Sequence, residues 1–351
     1  SRKNKEIMNA LLRNGADINQ RRLVQGKLIG ETPIFHAINP PGYGKPDHSL
    51  ISFLVFKGAE LNAVANKGTT VGEAIRQDLE TLKFIVDIGA NIELRDEAGD
   101  TPLLDASYNG EFEAVKYLLS IGANVNATNS LGQNVLHLAA KMESVKTLEM
   151  LIQKGADASR LDNNGYNLLH LAARYSRNPD MVTTLIKNYG FNPDSLIKDD
   201  YRNTPLILAA ITNPRVGVMN ALLRNGANPN RSNAYGYAPI HAAAAYVQEY
   251  YDNAYYDNSL RIKLLLDAGA NVNAQVTSTK ETALHIAADQ DAVVNGHSQQ
   301  SLVELIDAGA DVLIKDQNGA TALDIYQKNN GNTDNGYRGR GYWKLHDKHF
   351  N

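Results

Sequence analysis

The sequence predicts an all-α solenoid of paired antiparallel helices joined by hairpin loops, and three observations predict it. Gly-Ala or Gly-Phe stop signals recur along the chain, with their glycines at Gly15, Gly58, Gly89, Gly122, Gly155, Gly190, Gly226, Gly269 and Gly309. Near the centre the step settles at 33 residues, from Gly89 to Gly122 and again to Gly155, and a fixed period of this size marks stacked supersecondary units. Openings such as Thr101-Pro102-Leu103 and Thr204-Pro205-Leu206 stand ahead of the stops, and Pro suits the first helical turn, where its missing N–H has no partner. Between opening and stop the apolar residues fall at helical spacing in two short segments. A chain of 351 residues ordinarily suggests about two or three globular domains. A repeat array overrides that expectation, because each unit contacts only its neighbours.

In chain order, residues 1–20 are a partial repeat whose second helix ends at Leu11-Leu12-Arg13-Asn14-Gly15; glycine there suits the left-handed conformation that stops a helix. Thr32-Pro33-Ile34-Phe35-His36 opens the next unit, and the Pro- and Gly-rich run near residues 39–48 is an insertion that cannot be helical. The following unit carries Thr69-Thr70-Val71-Gly72-Glu73 where Thr-Pro-Leu-His belongs, which predicts weaker packing. Leu136-His137-Leu138-Ala139-Ala140 and Leu169-His170-Leu171-Ala172-Ala173 open regular units, with small residues that let neighbouring helices approach closely. Tyr189-Gly190-Phe191 ends its unit with a longer link. Further insertions fall near residues 246–258 and 289–300. The array runs to residue 328, with a terminal cap from Gly319 to Tyr326, and residues 329–351 form a Gly/Asn-rich C-terminal tail. Gly122 is expected to need a left-handed backbone and Ala127 to be an ordinary loop site, so valine should be far more damaging at 122 than at 127.

Composition excludes several classes of function. The net charge of −3, from 35 basic and 38 acidic residues, argues against a nucleic-acid partner held by phosphate neutralisation. With no cysteine there are no disulfides or thiolate metal sites, and a cytoplasmic setting is expected. No apolar run approaches the length of a membrane span. Neither a phosphate loop, a dinucleotide fingerprint nor a serine nucleophile motif appears, so no enzymatic activity and no cofactor are expected. Asp162-Asn163-Asn164-Gly165 and Asp316-Gln317-Asn318-Gly319 lack the closing glutamate of a calcium loop and read as turns. His346 and His349 could share a helix face but have no third ligand nearby, so no metal is expected.

The period, the openings and the stops resemble those of ankyrin-repeat proteins from end to end, which implies about nine to ten repeats including the partial first unit and the cap. The resemblance implies a structural role for His137, His170, His241 and His285, which share one repeat position: their imidazoles would tie neighbouring hairpin loops together. It also implies a concave ligand-binding surface made by the hairpin loops and the exposed side of each first helix. On that register Tyr166, Tyr201, Tyr235 and Tyr237 fall in hairpin loops, Tyr175 and Tyr246 fall towards the ends of first helices, and Lys141, Met142 and Arg174 share the surface. Eleven of the 17 tyrosines lie between Tyr166 and Tyr256. The repeat does not require that concentration, and tyrosine is enriched where binding energy gathers. Tyr250, Tyr251, Tyr255 and Tyr256, inside the insertion, are expected to form a second contact site.

The expected function is a monomeric protein–protein interaction scaffold that grips another protein or a peptide on its concave, Tyr-rich surface. Two alternatives stand beside it. The chain could be the recognition arm of a larger enzyme or of a secreted bacterial effector acting on proteins in the host cytosol, with which the Asn-rich composition is compatible. It could also be a receptor for an oligonucleotide or small ligand, with tyrosines stacking on bases; the acidic balance weighs against that reading.

Overall fold

A computed structural model of the chain describes residues 2–21, 23, 24, 27, 28, 30–42, 44–65, 68–142, 144–245, 258–293 and 299–329. The chain forms two compact units, residues 1–163 and 164–351. The first holds α1 (Arg2–Arg13), α2 (Pro33–Ile38), α3 (His48–Phe56), α4 (Thr70–Gln77), α5 (Leu79–Asp87), α6 (Pro102–Asn109), α7 (Phe112–Ser120), α8 (Val135–Lys141) and α9 (Val145–Gln153). The second holds α10 (Leu168–Tyr175), α11 (Pro179–Tyr189), α12 (Pro205–Thr212), α13 (Val216–Arg224), α14 (Pro239–Ala245), α15 (Asn258–Asp267), α16 (Ala283–Val293), α17 (Gln299–Asp307) and α18 (Ala322–Asn329). From α2 onward the helices pair within each repeat, α2 with α3, α4 with α5, and so on to α16 with α17; α18 stands in the cap. Two hairpin loops pair tightly enough to form small antiparallel ribbons, β1 (Leu23–Val24) with β2 (Lys27–Leu28) and β3 (Val64–Ala65) with β4 (Gly68–Thr69). The all-α expectation holds apart from these short strands.

Several first helices start as their opening residues dictate. Thr101 and Thr204 accept the backbone N–H of Leu104 and Ile207 at 3.4 and 3.2 Å, capping α6 and α12, and the following Pro occupies the first turn. At α8 and α10 an Asn caps instead, and the third helical residue, His137 or His170, accepts the cap's own N–H through Nδ1. Within each unit successive first helices pack on one another, and their small residues, among them Ala139, Ala140, Ala172, Ala173, Ala209 and Ala210, are buried.

The stops work as expected. Gly122 has φ +92°, and Ala123 N–H returns to Leu118 O at 3.0 Å, closing α7. Beyond the glycine a side chain takes over. Asn126 Oδ1 accepts Asp157 N–H of the next repeat at 3.1 Å, and Asn230 Oδ1 accepts Asn271 N–H at 2.7 Å. The same amides donate back, to Gly155 O and Gly269 O. The hairpin tips add a backbone rung between repeats: Ser130 N–H to Ala98 O in the first unit, and Ala234 N–H to Tyr201 O and Thr277 N–H to Tyr235 O in the second.

Two expectations need correction. The unit opening at Thr69 is not weakly packed, since Val71, Ala74, Ile75, Leu82 and Ile85 are all buried. A polar junction replaces the missing motif: Arg76 donates to Glu73 at 2.7 Å and to Asp105 at 2.9 Å, and Asn39 donates to the other Glu73 oxygen at 2.6 Å. Gly72 makes the closure possible, because a Cβ there would stand 2.7 Å from Asp105 Oδ2. Nor is Ala127 an ordinary loop site; it is buried. A Cβ at Gly122, by contrast, would meet nothing within 4 Å.

One residue that the repeat pattern does not announce fastens the second unit. Arg261 of α15 is fully buried, and its guanidinium donates to Ala209 O at 3.2 Å, Ala210 O at 3.0 Å and Asn213 O. These carbonyls end α12 and carry the negative pole of that helix, so a planar cation with several N–H groups suits them.

Two predictions follow from packing. Gly122→Ala should cost about 1–2 kcal/mol from backbone strain alone, and Ala127→Val should cost a comparable about 1–3 kcal/mol through overpacking; urea melts of the two variants compare them. Arg261→Met should destabilise the second unit by about 3 kcal/mol or more, because buried carbonyls lose a charged donor. Amide exchange resolved along the chain reads this as faster opening of α12 and α15.

Candidate partner-binding surface

The histidine position is structural. In the second unit His170, His241 and His285 each reach the carbonyl of the next loop through Nε2: Ser195 O at 3.0 Å, Ala274 O at 2.8 Å and Ala320 O at 3.2 Å. Nδ1 accepts a backbone N–H in each, from Asn167, Ala238 and Thr282. With Nδ1 as acceptor, Nε2 must carry the proton, so one neutral tautomer serves both bonds. Burial pushes the His241 and His285 imidazoles below their usual range.

The expected contact residues fall into separate groups. In the second unit Tyr166, Arg174 and Tyr175 come together. Arg174, in the last turn of α10, donates to the Tyr166 hydroxyl at 2.9 Å, and its guanidinium lies 5.9 Å from the Tyr166 ring and 5.1 Å from the Tyr175 ring. Tyr175 is 48% exposed. Tyr201 and Tyr235 occupy successive hairpin tips, where their rings meet at 5.6 Å while staying 59% and 47% exposed. Tyr237 is half-buried, packs 5.4 Å from the His241 ring and donates its hydroxyl to His241 O. Burial, with Glu281 adding to it, pushes this phenol up to about 12. Its geometry is that of a brace for the loop.

In the first unit Lys141 and Met142 are half-buried at the end of α8, and Lys141 donates to Gln133 Oε1 at 2.7 Å. Tyr246, Tyr250, Tyr251, Tyr255 and Tyr256 lie outside the described residues, as do His346 and His349. Among the described residues no group of three His, Asp or Glu gathers as metal ligands would, and no helix is long and apolar enough to cross a membrane.

Sequence reasoning missed two features of the first-helix face. Repeat register puts Arg76, Lys141, Arg174 and Ile211 at one position, near the ends of α4, α8, α10 and α12. Aligning the openings would have exposed this. Arg76 there is neutralised by Glu73 and Asp105. Burial pushes the Asp105 carboxyl up to about 6, even with Arg76 beside it pulling the other way. Ile211, also unremarked, is 38% exposed.

This geometry of paired helices, capping histidines and loop rungs is that of the ankyrin repeat. The sequence matches the family "Ankyrin repeats (3 copies)" over residues 42–129, 121–197 and 169–256, and "Ankyrin repeat" over 279–317. The chain therefore belongs to the ankyrin-repeat family, whose modules are generally non-enzymatic and mediate protein–protein interaction. An ankyrin-repeat protein of fowlpox virus (strain NVSL) is 36% identical over 86 residues, a match covering 24% of this chain and 15% of the viral protein's length. Two crystal structures share the fold, each at 26% identity. The ankyrin repeat domain of Bcl-3, a member of the IkappaB protein family, aligns with a TM-score of 0.51 over 71% of this chain and 100% of that one. The human ASB11 ankyrin repeat domain aligns with a TM-score of 0.56 over 69% and 98%.

The titrating groups act on stability in opposite directions. For His241 and His285 the folded value is lowered, so their contribution is full above the unfolded value near 6.5 and is lost as pH falls. For Asp105 the folded value is raised, so its contribution is full below the unfolded value and is lost as pH rises through about 6. Acidification from pH 7 to 5 should therefore loosen the second unit while Asp105 works against any loss in the first. Imidazole ¹⁵N spectra at about pH 7.5 should show His241 and His285 neutral with the proton on Nε2; a proton on Nδ1 there would refute the assignment.

Proposed function

We propose that the second unit binds a protein partner through the face formed by its hairpin tips and the ends of its first helices. One observation carries this reading: Tyr201 and Tyr235 lie ring to ring at successive tips and still leave about half of their surface in water. Aromatic side chains so placed have a large apolar area to lose on contact, and each loses only two side-chain torsions in doing so. The tips themselves are held by backbone rungs and by Tyr237, so the pair is preorganised rather than mobile. Tyr175 and Ile211, both partly exposed, extend the same kind of surface along the ends of α10 and α12, which pack on each other. The family's general role in protein recognition supports the choice of a protein over a nucleic acid, and the net charge of −3 agrees with it.

The experiment is capture from cell lysate by the chain and by the double variant Tyr201→Ser/Tyr235→Ser, quantified by mass spectrometry. Both tyrosines sit on loop surface, so the melt should be unchanged within about 0.5 kcal/mol. Proteins held by the parent chain should fall by about ten-fold or more with the variant. An identical capture profile for two equally folded chains would reject this face as the contact surface.

A further inference from the structure

We propose that the partner of the second unit presents a carboxylate, from an Asp or Glu flanked by apolar residues, to Arg174. This rests on the reading of the same face as a protein-binding surface and adds the chemistry of what it takes. Three observations carry it.

The first is the state of the guanidinium. Arg174 is half-buried, its Nε–H is buried with no acceptor among the described residues, and the partners it does have are the Tyr166 hydroxyl and two tyrosine rings. Among the described residues no carboxylate meets it. Burying a donor without a partner is unfavourable, and covering the rest of this cation with a protein lacking an anion would leave a charge desolvated and unpaired. A partner that docks here must bring negative charge.

The second is the contrast along one register position. Arg76 holds the equivalent place on α4 and is closed off by Glu73 and Asp105 at 2.7 and 2.9 Å. A cation in the last turn suits the pole of its helix, which accounts for the charge at both places. It does not account for carboxylates around one and aromatic rings around the other. The first unit neutralises its arginine internally, whereas the second leaves that task open.

The third is preorganisation. The Tyr166 and Tyr175 rings and the Tyr166 hydroxyl fix the plane of a side chain that would otherwise be flexible. A fixed planar fork matches a carboxylate's two oxygens. Beside it, Tyr175 and Ile211 offer exposed apolar area for the flanking residues.

The test uses a phage-displayed library of random dodecapeptides selected against the full chain. Enriched peptides should carry an Asp or Glu next to aliphatic or aromatic residues. Arg174→Gln should weaken them by about ten-fold or more with an unchanged melt, and Arg174→Lys should restore only part, since an ammonium cannot hold the planar stack. Changing the peptide's Glu to Gln should weaken binding to the parent chain similarly and have little further effect on Arg174→Gln. Peptides without an acidic residue, or an affinity indifferent to Arg174, would overturn the proposal. So would a preference for phosphoserine at that place with no binding of the glutamate form. If binding depends on Tyr201 and Tyr235 but not on Arg174, the interface reading stands and the carboxylate falls; no enrichment, or indifference to all three residues, removes both.

Discussion

At several joints within each unit, the turn that ends a repeat has a backbone N–H that its own helices do not satisfy, and the preceding repeat supplies the acceptor. Asn126 does this for Asp157 and Asn230 for Asn271, each donating back to a carbonyl of the same turn. The imidazoles of His170, His241 and His285 tie repeats together in the opposite sense, donating Nε2–H to a carbonyl of the next loop. These turns lie at the surface, so the bonds set the spacing of neighbouring repeats while apolar burial between their helices holds the stack together. The constraint also explains part of the Asn-rich composition: the amide accepts through its oxygen and donates through its nitrogen, whereas an ionised carboxylate only accepts.

The repeat architecture was legible because its signals are local. A Thr-Pro caps and starts a helix, a Gly with positive φ stops one, and both can be read without knowing what packs on them. The histidine role was equally accessible, since one residue type recurs at one register position. What escaped was non-local. Ala127 looks like any small loop residue, and nothing in the local pattern announces its burial. The unit at Thr69 departs from the motif, yet its gap is filled by Arg76, Glu73 and Asp105 from two first helices, with Asn39 from a third. Arg261 reads as a surface cation until its guanidinium is found against the end of α12.

The contact residues show the same division. Tyrosine clustering between residues 166 and 256 was visible as composition, but composition does not separate rings that brace the fold from rings that wait for a partner. Tyr237 and Tyr235 are two residues apart in one loop; the first is tied to His241 O and the second stays largely in water. Lys141 and Arg174 likewise occupy one register position with different company, an amide oxygen for one and aromatic rings for the other. The surface is therefore specified residue by residue on a frame specified by period.

Arg261 has a consequence for how such a chain can change over generations. Because the guanidinium of α15 grips the end of α12, the first helix of the preceding repeat, one side chain ties two repeats together through carbonyls outside its own helix pair. A side chain with three carbonyls to satisfy leaves little room for exchange, so novelty in sequence should accumulate at the exposed positions of α15 rather than at its anchor.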